Sequence, residues 1–226
     1  MLPPVFLTGG TGYIGRPLIG ALCARGYRVH ALVRRESRSR LPESAIPVIG
    51  NALDAATFSS AIPDGATIVH LVGTPHPNPS KAAEFETVDL SSIRATAAAA
   101  VRAGARHLVY LSVAHPAPIM RAYIAVRVQG EALAGSTGIP TTILRPWYVL
   151  GPGHWWPSVL LPMYAILRMV PATRGAAERL GLLTLRQMVA ALVQVVGHPP
   201  PSGVRILEVP DIRRAASDPV SGGAPG

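Results

Sequence analysis

Short apolar runs alternate with longer amphipathic stretches from the N-terminus to about residue 146. Runs such as Val5–Leu7 and Thr67–Val72 have the length and the β-branched content of strands that are buried on both faces. The stretch Ala82–Ala103 is rich in alanine and ends before Gly104, as a long helix does. This alternation predicts an α/β fold with a doubly wound parallel sheet and right-handed connections between its strands.

The alternation weakens in the last third of the chain. Beyond Trp147, glycine and proline interrupt the apolar stretches. The pattern therefore predicts a sheet domain over 1–150, a small C-terminal substrate or lid region over 151–211, and a disordered tail over 212–226. The other predicted strands are Tyr27–Val33, Ile46–Ile49, His107–Ser112, Thr141–Leu144 and Val204–Val209, and the other predicted helices are Ala55–Ala61, Met120–Ala134 and Leu185–Val196.

A glycine cluster separates the first predicted strand from the first predicted helix. Its sequence is Thr8-Gly9-Gly10-Thr11-Gly12-Tyr13-Ile14-Gly15. Glycines at this spacing allow a tight turn, a close approach of the backbone to a pyrophosphate, and close packing of helix on strand. The N-terminus of the following helix attracts phosphate through its free N–H groups and its dipole. The cluster predicts a dinucleotide-binding, Rossmann-type fold, and the alternative is a glycine turn that binds nothing.

Two arginines follow the second predicted strand, about 20 residues after the last glycine of the cluster. In NAD-preferring proteins an acidic residue here binds the 2′-hydroxyl of the adenosine ribose, whereas an arginine accommodates a 2′-phosphate. Arg34 and Arg35 therefore favour NADP(H). Glu36 keeps NAD(H) open as the alternative, because its carboxylate can accept hydrogen bonds from the ribose hydroxyls.

The composition argues against several other classes of protein. A hydrophobic fraction of 49% in 226 residues suits one α/β domain, and no apolar run is long enough to span a bilayer. The net charge of +9 comes from scattered arginines, with Lys81 as the only lysine, and no nucleic-acid-binding motif accompanies it. The single cysteine, Cys23, and the isolated histidines indicate neither an internal disulfide nor a metal site. With no secretory signal visible at the N-terminus, we expect a cytoplasmic protein.

Several further motifs follow the glycine cluster in a fixed order. They are Asn51–Asp54, His70–Gly73, Leu111-Ser112, Tyr123–Arg127, Leu144–Pro146 and Gly151–Gly153. As an ordered set they resemble the extended or atypical short-chain dehydrogenase/reductase superfamily, over residues 4–153 and more loosely beyond. The most similar branch is the NAD(P)H-binding, NmrA-like group, which includes an accessory subunit of respiratory complex I.

The resemblance implies a catalytic group. In active members of the superfamily a Tyr-x-x-x-Lys pair performs the acid/base chemistry, and a serine on the preceding strand assists it. Tyr123 matches the tyrosine and Ser112 the serine, but position 127 is arginine. The i, i+4 spacing places Tyr123 and Arg127 on one helix face. Arg127 supplies a fixed cation and is expected to hold the nicotinamide ribose, although unlike lysine it cannot pass a proton onward.

The resemblance also implies the remaining site residues. The amide oxygen of Asn51 is expected to accept a hydrogen bond from the adenine amino group, with a simple turn residue as the alternative. Asp89 lies near a position where many relatives carry a structural asparagine, and it is left unassigned. The cofactor residues as a set are Thr8, Gly9, Gly10, Thr11, Gly12, Tyr13, Ile14, Gly15, Arg34, Arg35, Asn51, Ala52, Leu71, Val72, Gly73, Arg127 and Pro146.

The segment that follows the sixth predicted strand contains three candidates for the substrate site. His154, Trp155 and Trp156 lie where family substrates bind, and they would suit an apolar substrate. Aromatic packing of the C-terminal region is an equal alternative.

Two hypotheses about function remain open at this stage. The first is an NADP(H)-dependent oxidoreductase, or an epimerase or dehydratase of the same fold, that acts on an unidentified small molecule, with an apolar molecule as one candidate. The second is a redox sensor or accessory module that binds NADP(H) without chemistry. Arg127 motivates the second hypothesis, together with the apolar segment Ser158–Val170, which fits a membrane surface or a protein partner.

Overall fold

The computed structural model describes residues 2–75, 77–117, 119–155, 159, 169 and 171–217. Its strands are β1 (Val5–Thr8), β2 (Val29–Val33), β3 (Ile46–Ile49), β4 (Thr67–His70), β5 (His107–Leu111), β6 (Thr141–Leu144), β7 (Tyr148–Leu150), β8 (Leu182–Thr184) and β9 (Val204–Leu207). Seven of them form one parallel sheet in the order β3-β2-β1-β4-β5-β6-β9. The order reverses between β1 and β4, which confirms the predicted doubly wound sheet.

Helices cover both faces of this sheet. The α-helices of the described residues are α1 (Gly15–Cys23), α2 (Ala82–Glu84), α3 (Ser91–Arg102), α4 (Arg121–Gly135), α5 (Pro171–Arg179), α6 (Leu185–Gly197) and α7 (Val209–Ser217). The start of α6 carries a reciprocal capping box between Thr184 and Gln187, which fixes where this predicted helix begins. The predicted helix Ala55–Ala61 is instead two 3₁₀ turns, and the Asp54 side chain caps the first of them by accepting a hydrogen bond from the Ala56 N–H.

Alternate residues of the central strands supply two separate cores, because successive strand side chains point to opposite faces. On one face Val5 and Leu7 pack against α1 and α6. On the other face Phe6 packs against residues of α3 and α4. All three side chains are fully buried, which explains why the strand sequences are continuously apolar rather than alternating.

The C-terminal region, predicted as a small substrate or lid region over 151–211, packs on the sheet domain and extends its sheet. Strand β9 pairs with β6 and completes the main sheet, while α6 and α7 belong to the core on the α1 face. The predicted disordered tail begins at residue 212, but Ile212 is fully buried within α7. The sequence prediction failed because α7 is short and its apolar positions gain stability only by packing on α6. Residues 218–226 lie outside the described part of the chain.

The predicted helix Ala82–Ala103 contains a π-helical segment. Residues Phe85–Leu90 form this segment between α2 and α3. The wider turn places both Phe85 and Asp89 in the interior, where neither is more than 1% exposed. Such segments inside α-helices are frequent at functional sites.

The structure covers two of the predicted features only in part or not at all: the apolar segment Ser158–Val170 and the candidate substrate residue Trp156. Most of the segment, and Trp156 before it, lies outside the described residues; within the segment Val159 and Met169 are exposed. None of the helices seen in the described residues is long and apolar enough to cross a membrane.

Two histidines are buried in the sheet. His70 Nδ1 lies 2.9 Å from the hydroxyl oxygens of both Thr8 and Thr96. His107 Nε2 lies 3.0 Å from the hydroxyl oxygen of Thr142. Burial, reinforced by nearby arginines, lowers the pKa of each histidine to about 3. Both rings are therefore neutral at physiological pH.

These two histidines predict a loss of stability in mild acid. Below pH 6.5 the unfolded chain takes up protons that the folded chain excludes, so the free energy of unfolding falls as the pH decreases. Each histidine contributes a slope of about 1.4 kcal/mol per pH unit between pH ~6 and pH ~4. Urea unfolding of the wild type and of His70→Gln across this range measures the slope. His70→Gln lowers stability at pH ~7 but reduces the slope by about 1.4 kcal/mol per pH unit, whereas a slope unchanged from the wild type would contradict the assignment. The exposed His198, changed to Gln, is the control and keeps the wild-type slope.

Candidate active site at the carboxyl ends of the strands

The glycine cluster forms a tight loop that only glycine permits. Gly9 has a φ of +81°, and a Cβ atom on it would lie 2.9 Å from the carbonyl carbon of Leu71, at the end of β4. A Cβ atom on Gly15 would lie 2.3 Å from the carbonyl oxygen of Gly9. The loop thus folds onto the start of α1 and against β4, as a dinucleotide cradle requires.

The loop borders an open depression of about 600 Å³ whose lining includes Thr11, Gly12, Tyr13 and Arg16. No side chain caps the start of α1, and its first turn contains no acidic residue that would repel an anion. A phosphate-bearing cofactor therefore fits the residues that are present. The Thr8 hydroxyl, in contrast, points into the core towards His70, so only the Thr8 backbone remains for the predicted cofactor contact.

Tyr13 connects the glycine loop to the C-terminal region. Its ring centroid lies 4.3 Å from that of His154, and a Cβ atom on Gly151 would lie 2.3 Å from the Tyr13 hydroxyl oxygen. Burial, followed by the neighbouring Tyr148, raises the pKa of Tyr13. Tyr13 and His154, predicted separately as cofactor and substrate residues, therefore lie together. Trp155 is 55% exposed, and Trp156 lies outside the described residues.

The residues predicted to choose between NADP(H) and NAD(H) are paired with each other. Arg34 Nε lies 3.4 Å from the Glu36 carboxylate, and both side chains are more than two-thirds exposed. Asn51 occupies the turn that was its alternative assignment, because its amide oxygen accepts a hydrogen bond from the Leu53 N–H. Its adenine contact remains a prediction.

Helix α4 lies along the carboxyl end of β5 and presents Tyr123, Arg127 and Glu131 at successive i, i+4 positions. Arg127 Nη1 donates to the carbonyl oxygen of Leu111, the last residue of β5. The guanidinium carbon lies 5.1 Å from the centroid of the Tyr123 ring. The predicted pair is therefore assembled on one face of α4.

Arg127 is not free, however. Its Nη2 atom lies 2.6 Å from Asp89 Oδ1, and both side chains are almost fully buried. Burial opposes the charge on Arg127, but Tyr123, Tyr110 and Asp89 outweigh it and raise the pKa of Arg127. Arg127 therefore stays protonated, and the Asp89 carboxylate compensates its positive charge. The sequence did not predict this ion pair, because Asp89 was left unassigned.

Ser112 also has a partner that the sequence analysis missed. Its hydroxyl donates to Glu131 Oε1 at 2.6 Å, and Arg145 donates to both oxygens of the same carboxylate. His115 Nε2 lies 3.4 Å from Glu131 Oε1, so this loop histidine also belongs to the group. Burial disfavours the Glu131 carboxylate, but the bonds from Arg145 and Ser112 hold its pKa below the usual value. The i, i+8 spacing from Tyr123 to Glu131 was the available sequence signal.

The ends of β4 and β6 contribute the remaining predicted residues. A Cβ atom on Gly73 would lie 2.1 Å from Arg127 Nη2, so the chain after β4 touches the catalytic candidates. The Pro146 carbonyl oxygen accepts a hydrogen bond from the Ala114 N–H and so fixes the loop that follows Ser112. A larger groove of about 1200 Å³ lies elsewhere, between α1, α6 and α7, and none of Ser112, Tyr123 and Arg127 lines it.

Comparisons with known proteins agree with this geometry. The sequence profile of an NAD(P)H-binding family matches residues 9–151. A ceramide reductase of Caulobacter vibrioides is 27% identical over 93% of this chain and 65% of its own length. A 4-hydroxy-2-methyl-3-oxo-4-farnesyl-3,4-dihydroquinoline-1-oxide ketoreductase of Stigmatella aurantiaca is 29% identical over 65% of this chain. This chain spans only 50% of the length of that second relative.

The fold also matches solved structures. A short-chain dehydrogenase/reductase superfamily protein from Agrobacterium tumefaciens, crystallised with bound NAD, superposes with a TM-score of 0.66 and 20% identity. The match covers 90% of this chain and 77% of that one.

The close approach within the glycine loop predicts opposite effects for two glycines of α1. Gly15→Ala places a methyl group against the backbone of Gly9 and Gly10, so it should lower the free energy of unfolding by more than about 1 kcal/mol. Gly20→Ala is the matched control, because its Cβ atom would meet nothing within 4 Å and alanine favours the helix by about 0.5–1 kcal/mol. Chemical denaturation measures the free energies of unfolding of the two variants and of the wild type. Equal effects of the two substitutions would contradict the described loop.

Proposed function

The chain belongs to the NAD(P)H-binding family, and on this premise we propose that it is an NADP(H)-dependent oxidoreductase that reduces a carbonyl group or oxidises the corresponding alcohol. Its fold is that of the short-chain dehydrogenases/reductases, as the sequence motifs predicted. The observation that carries the proposal is the placement of Tyr123 on α4 next to the cation Arg127, which contacts the same chain after β4 that the glycine loop packs against.

Each site residue has a proposed task. The cofactor, when bound, supplies or accepts a hydride. Tyr123 donates a proton to the substrate oxygen during reduction and removes it during oxidation, which is a task for a positioned phenol. The Ser112 proton is directed to Glu131, so the free lone pairs of Ser112 are placed to accept a hydrogen bond from an alcohol.

The proposed substrate is small and largely apolar. Trp155 and His154 follow β7 beside the glycine loop and offer one exposed aromatic surface with a polar group next to it. The names of the two relatives, a ceramide reductase and a ketoreductase acting on a farnesylated quinoline oxide, support an apolar carbonyl substrate.

A second candidate function is a dinucleotide-binding module without turnover. Two contacts favour it: Asp89 neutralises Arg127, and Glu131 occupies the Ser112 hydroxyl. In that case the site binds NADP(H) but does not respond to any alcohol or carbonyl compound. The variant Arg127→Lys separates the two candidates, because a gain of turnover indicates a degraded site and a loss shows that arginine is the working residue.

The oxidoreductase proposal predicts that Tyr123→Phe lowers turnover about 10²–10⁴-fold, because proton transfer by a positioned side chain contributes this much. Cofactor affinity should change less than about threefold, since only a hydroxyl is removed. The assay follows NADPH absorbance over a panel of long-chain ketones, quinones and sugar nucleotides. Tyr27→Phe is the control, because Tyr27 lines the groove beside α1 instead of the site. Turnover retained in Tyr123→Phe would remove Tyr123 from the mechanism.

We further propose that Arg34, with Arg35, makes the site prefer NADP(H) to NAD(H). An arginine meets a phosphate with charge-assisted hydrogen bonds, whereas a ribose hydroxyl gains little from it. Removing Arg34 should therefore reduce the ratio of the NADP(H) and NAD(H) affinities roughly ten- to a hundredfold at low salt. The reduction should be smaller at moderate salt, because the Arg34 and Arg35 side chains are exposed.

Calorimetric titration of both cofactors into wild type, Arg34→Ala and Glu36→Gln tests this preference. Glu36→Gln should strengthen it, since the carboxylate competes with the phosphate for Arg34. Arg28→Ala, at the opposite end of β2, is the control. Equal affinities for the two cofactors in the wild type would exclude Arg34 from phosphate recognition.

A further inference from the structure

Two pairs of side chains face each other across the site. The π-helical segment contributes Phe85 and Asp89, and α4 contributes Tyr123 and Arg127. The ring centroids of Phe85 and Tyr123 lie 5.0 Å apart, and Asp89 Oδ1 lies 2.6 Å from Arg127 Nη2. Because the π turn brings Phe85 and Asp89 inward together, one local irregularity of the helix holds both members of the catalytic pair.

The contacts of the Asp89 carboxylate in the described structure are with hydrogen-bond donors and with the Arg127 guanidinium. The Asp89 Oδ2 atom accepts hydrogen bonds from the Thr74 N–H at 2.9 Å and from the Thr74 hydroxyl at 2.6 Å. With Arg127 on the other oxygen, the carboxylate is 1% exposed and held from both sides. Asp89 and Arg127 therefore form a buried ion pair whose charges cancel.

The pair lies under the part of the sheet that the nicotinamide end of a dinucleotide reaches. Arg34 marks the adenosine side, because it follows β2 on one side of the switch point between β1 and β4. The other half of the cofactor then extends over β4 and β5, where Gly73 and Leu111 contact the Arg127 guanidinium. This placement rests on the proposed function.

We propose that Asp89 is a positioning residue that sets which oxidation state of the cofactor the site prefers, by cancelling the charge of Arg127 beside the nicotinamide. The oxidised nicotinamide ring carries a positive charge and the reduced ring is neutral. An uncompensated cation at position 127 would therefore disfavour the oxidised form. With Asp89 in place, the charge of Arg127 is compensated and does not weaken the binding of the oxidised cofactor. The relative affinity for the two oxidation states then depends on the other contacts of the site.

The other charged or titratable groups near the pair do not replace Asp89. His70 is neutral because its pKa is near 3. Burial raises the pKa of Tyr110, so that phenol is neutral as well. Glu131 is engaged by Arg145 and Ser112. Among the residues that the structure describes, Asp89 is the carboxylate in contact with Arg127.

The test measures the affinity of the protein for NADP⁺ and for NADPH by calorimetry, without any substrate. In Asp89→Asn the ratio of the two affinities should move towards NADPH by about tenfold, since unit charges several ångströms apart at an effective dielectric of ~20 interact on this scale. The neutral pair Asp89→Asn/Arg127→Gln should return the ratio to within about threefold of the wild type, because the net charge is zero again. Glu86→Gln is the matched control: it removes an exposed carboxylate from the same segment and should leave the ratio unchanged.

An unchanged ratio in folded Asp89→Asn would overturn the inference. Should Asp89→Asn fail to fold, Arg127→Gln tests the same inference with a shift in the opposite direction. An unpaired Asp89 should move the affinity ratio towards NADP⁺, and an unchanged ratio in Arg127→Gln would also overturn the inference. Failure of the wild type to bind either form would instead overturn the proposed function. The two failures are therefore distinguishable.

Discussion

The buried ion pair between Asp89 and Arg127 connects four parts of the molecule that meet at the candidate site: the π segment, α4, the chain after β4 and the end of β5. Asp89 holds the chain after β4 through Thr74, and Arg127 holds the end of β5 through the Leu111 carbonyl. Removing either partner would leave a charge buried without compensation, which is far more costly than the pair itself is favourable. The positions of the π segment, of α4 and of the loop at Gly73 therefore depend on one another. The close contact between Gly73 and the guanidinium shows how little room this arrangement leaves.

The same principle recurs one turn further along α4. Glu131 balances Arg145, which also contacts Glu208 at the end of β9, and the Ser112 hydroxyl completes the group. Both clusters bring charges into the interior at the carboxyl edge of the sheet, and both contain partners of opposite charge. Buried charges in proteins persist when they are paired and hydrogen-bonded in this way. The site is thus polar and preorganised, while the two apolar cores on either side of the sheet supply the stability that holds it.

This arrangement gives the glycine loop and α4 different roles. The loop is defined by backbone geometry alone, since no side chain larger than hydrogen fits at Gly9 or Gly15. The α4 face is defined by side chains whose charges are already satisfied within the protein. Dinucleotide binding follows from the first feature, and it is common to both candidate functions. The proposed chemistry depends on the second feature, because the carboxylate beside Arg127 changes the electrostatic environment of the neighbouring Tyr123 phenol and of a bound nicotinamide.

The sequence by itself determined the features that repeat locally. Continuous apolar runs predicted strands β1 to β6, and the spacing of glycines predicted the loop and its ligand class, because both depend on residues adjacent in the chain. Tyr123 and Arg127 could be paired for the same reason. Only the tertiary structure decided that β9 joins the main sheet, that the helix before α3 widens into a π segment, and that the Ser112 hydroxyl donates a hydrogen bond to Glu131. The tertiary structure also brought Asp89 to Arg127. These contacts join residues on different elements, and their energy comes from burial and charge compensation, which exist only after the sheet has assembled.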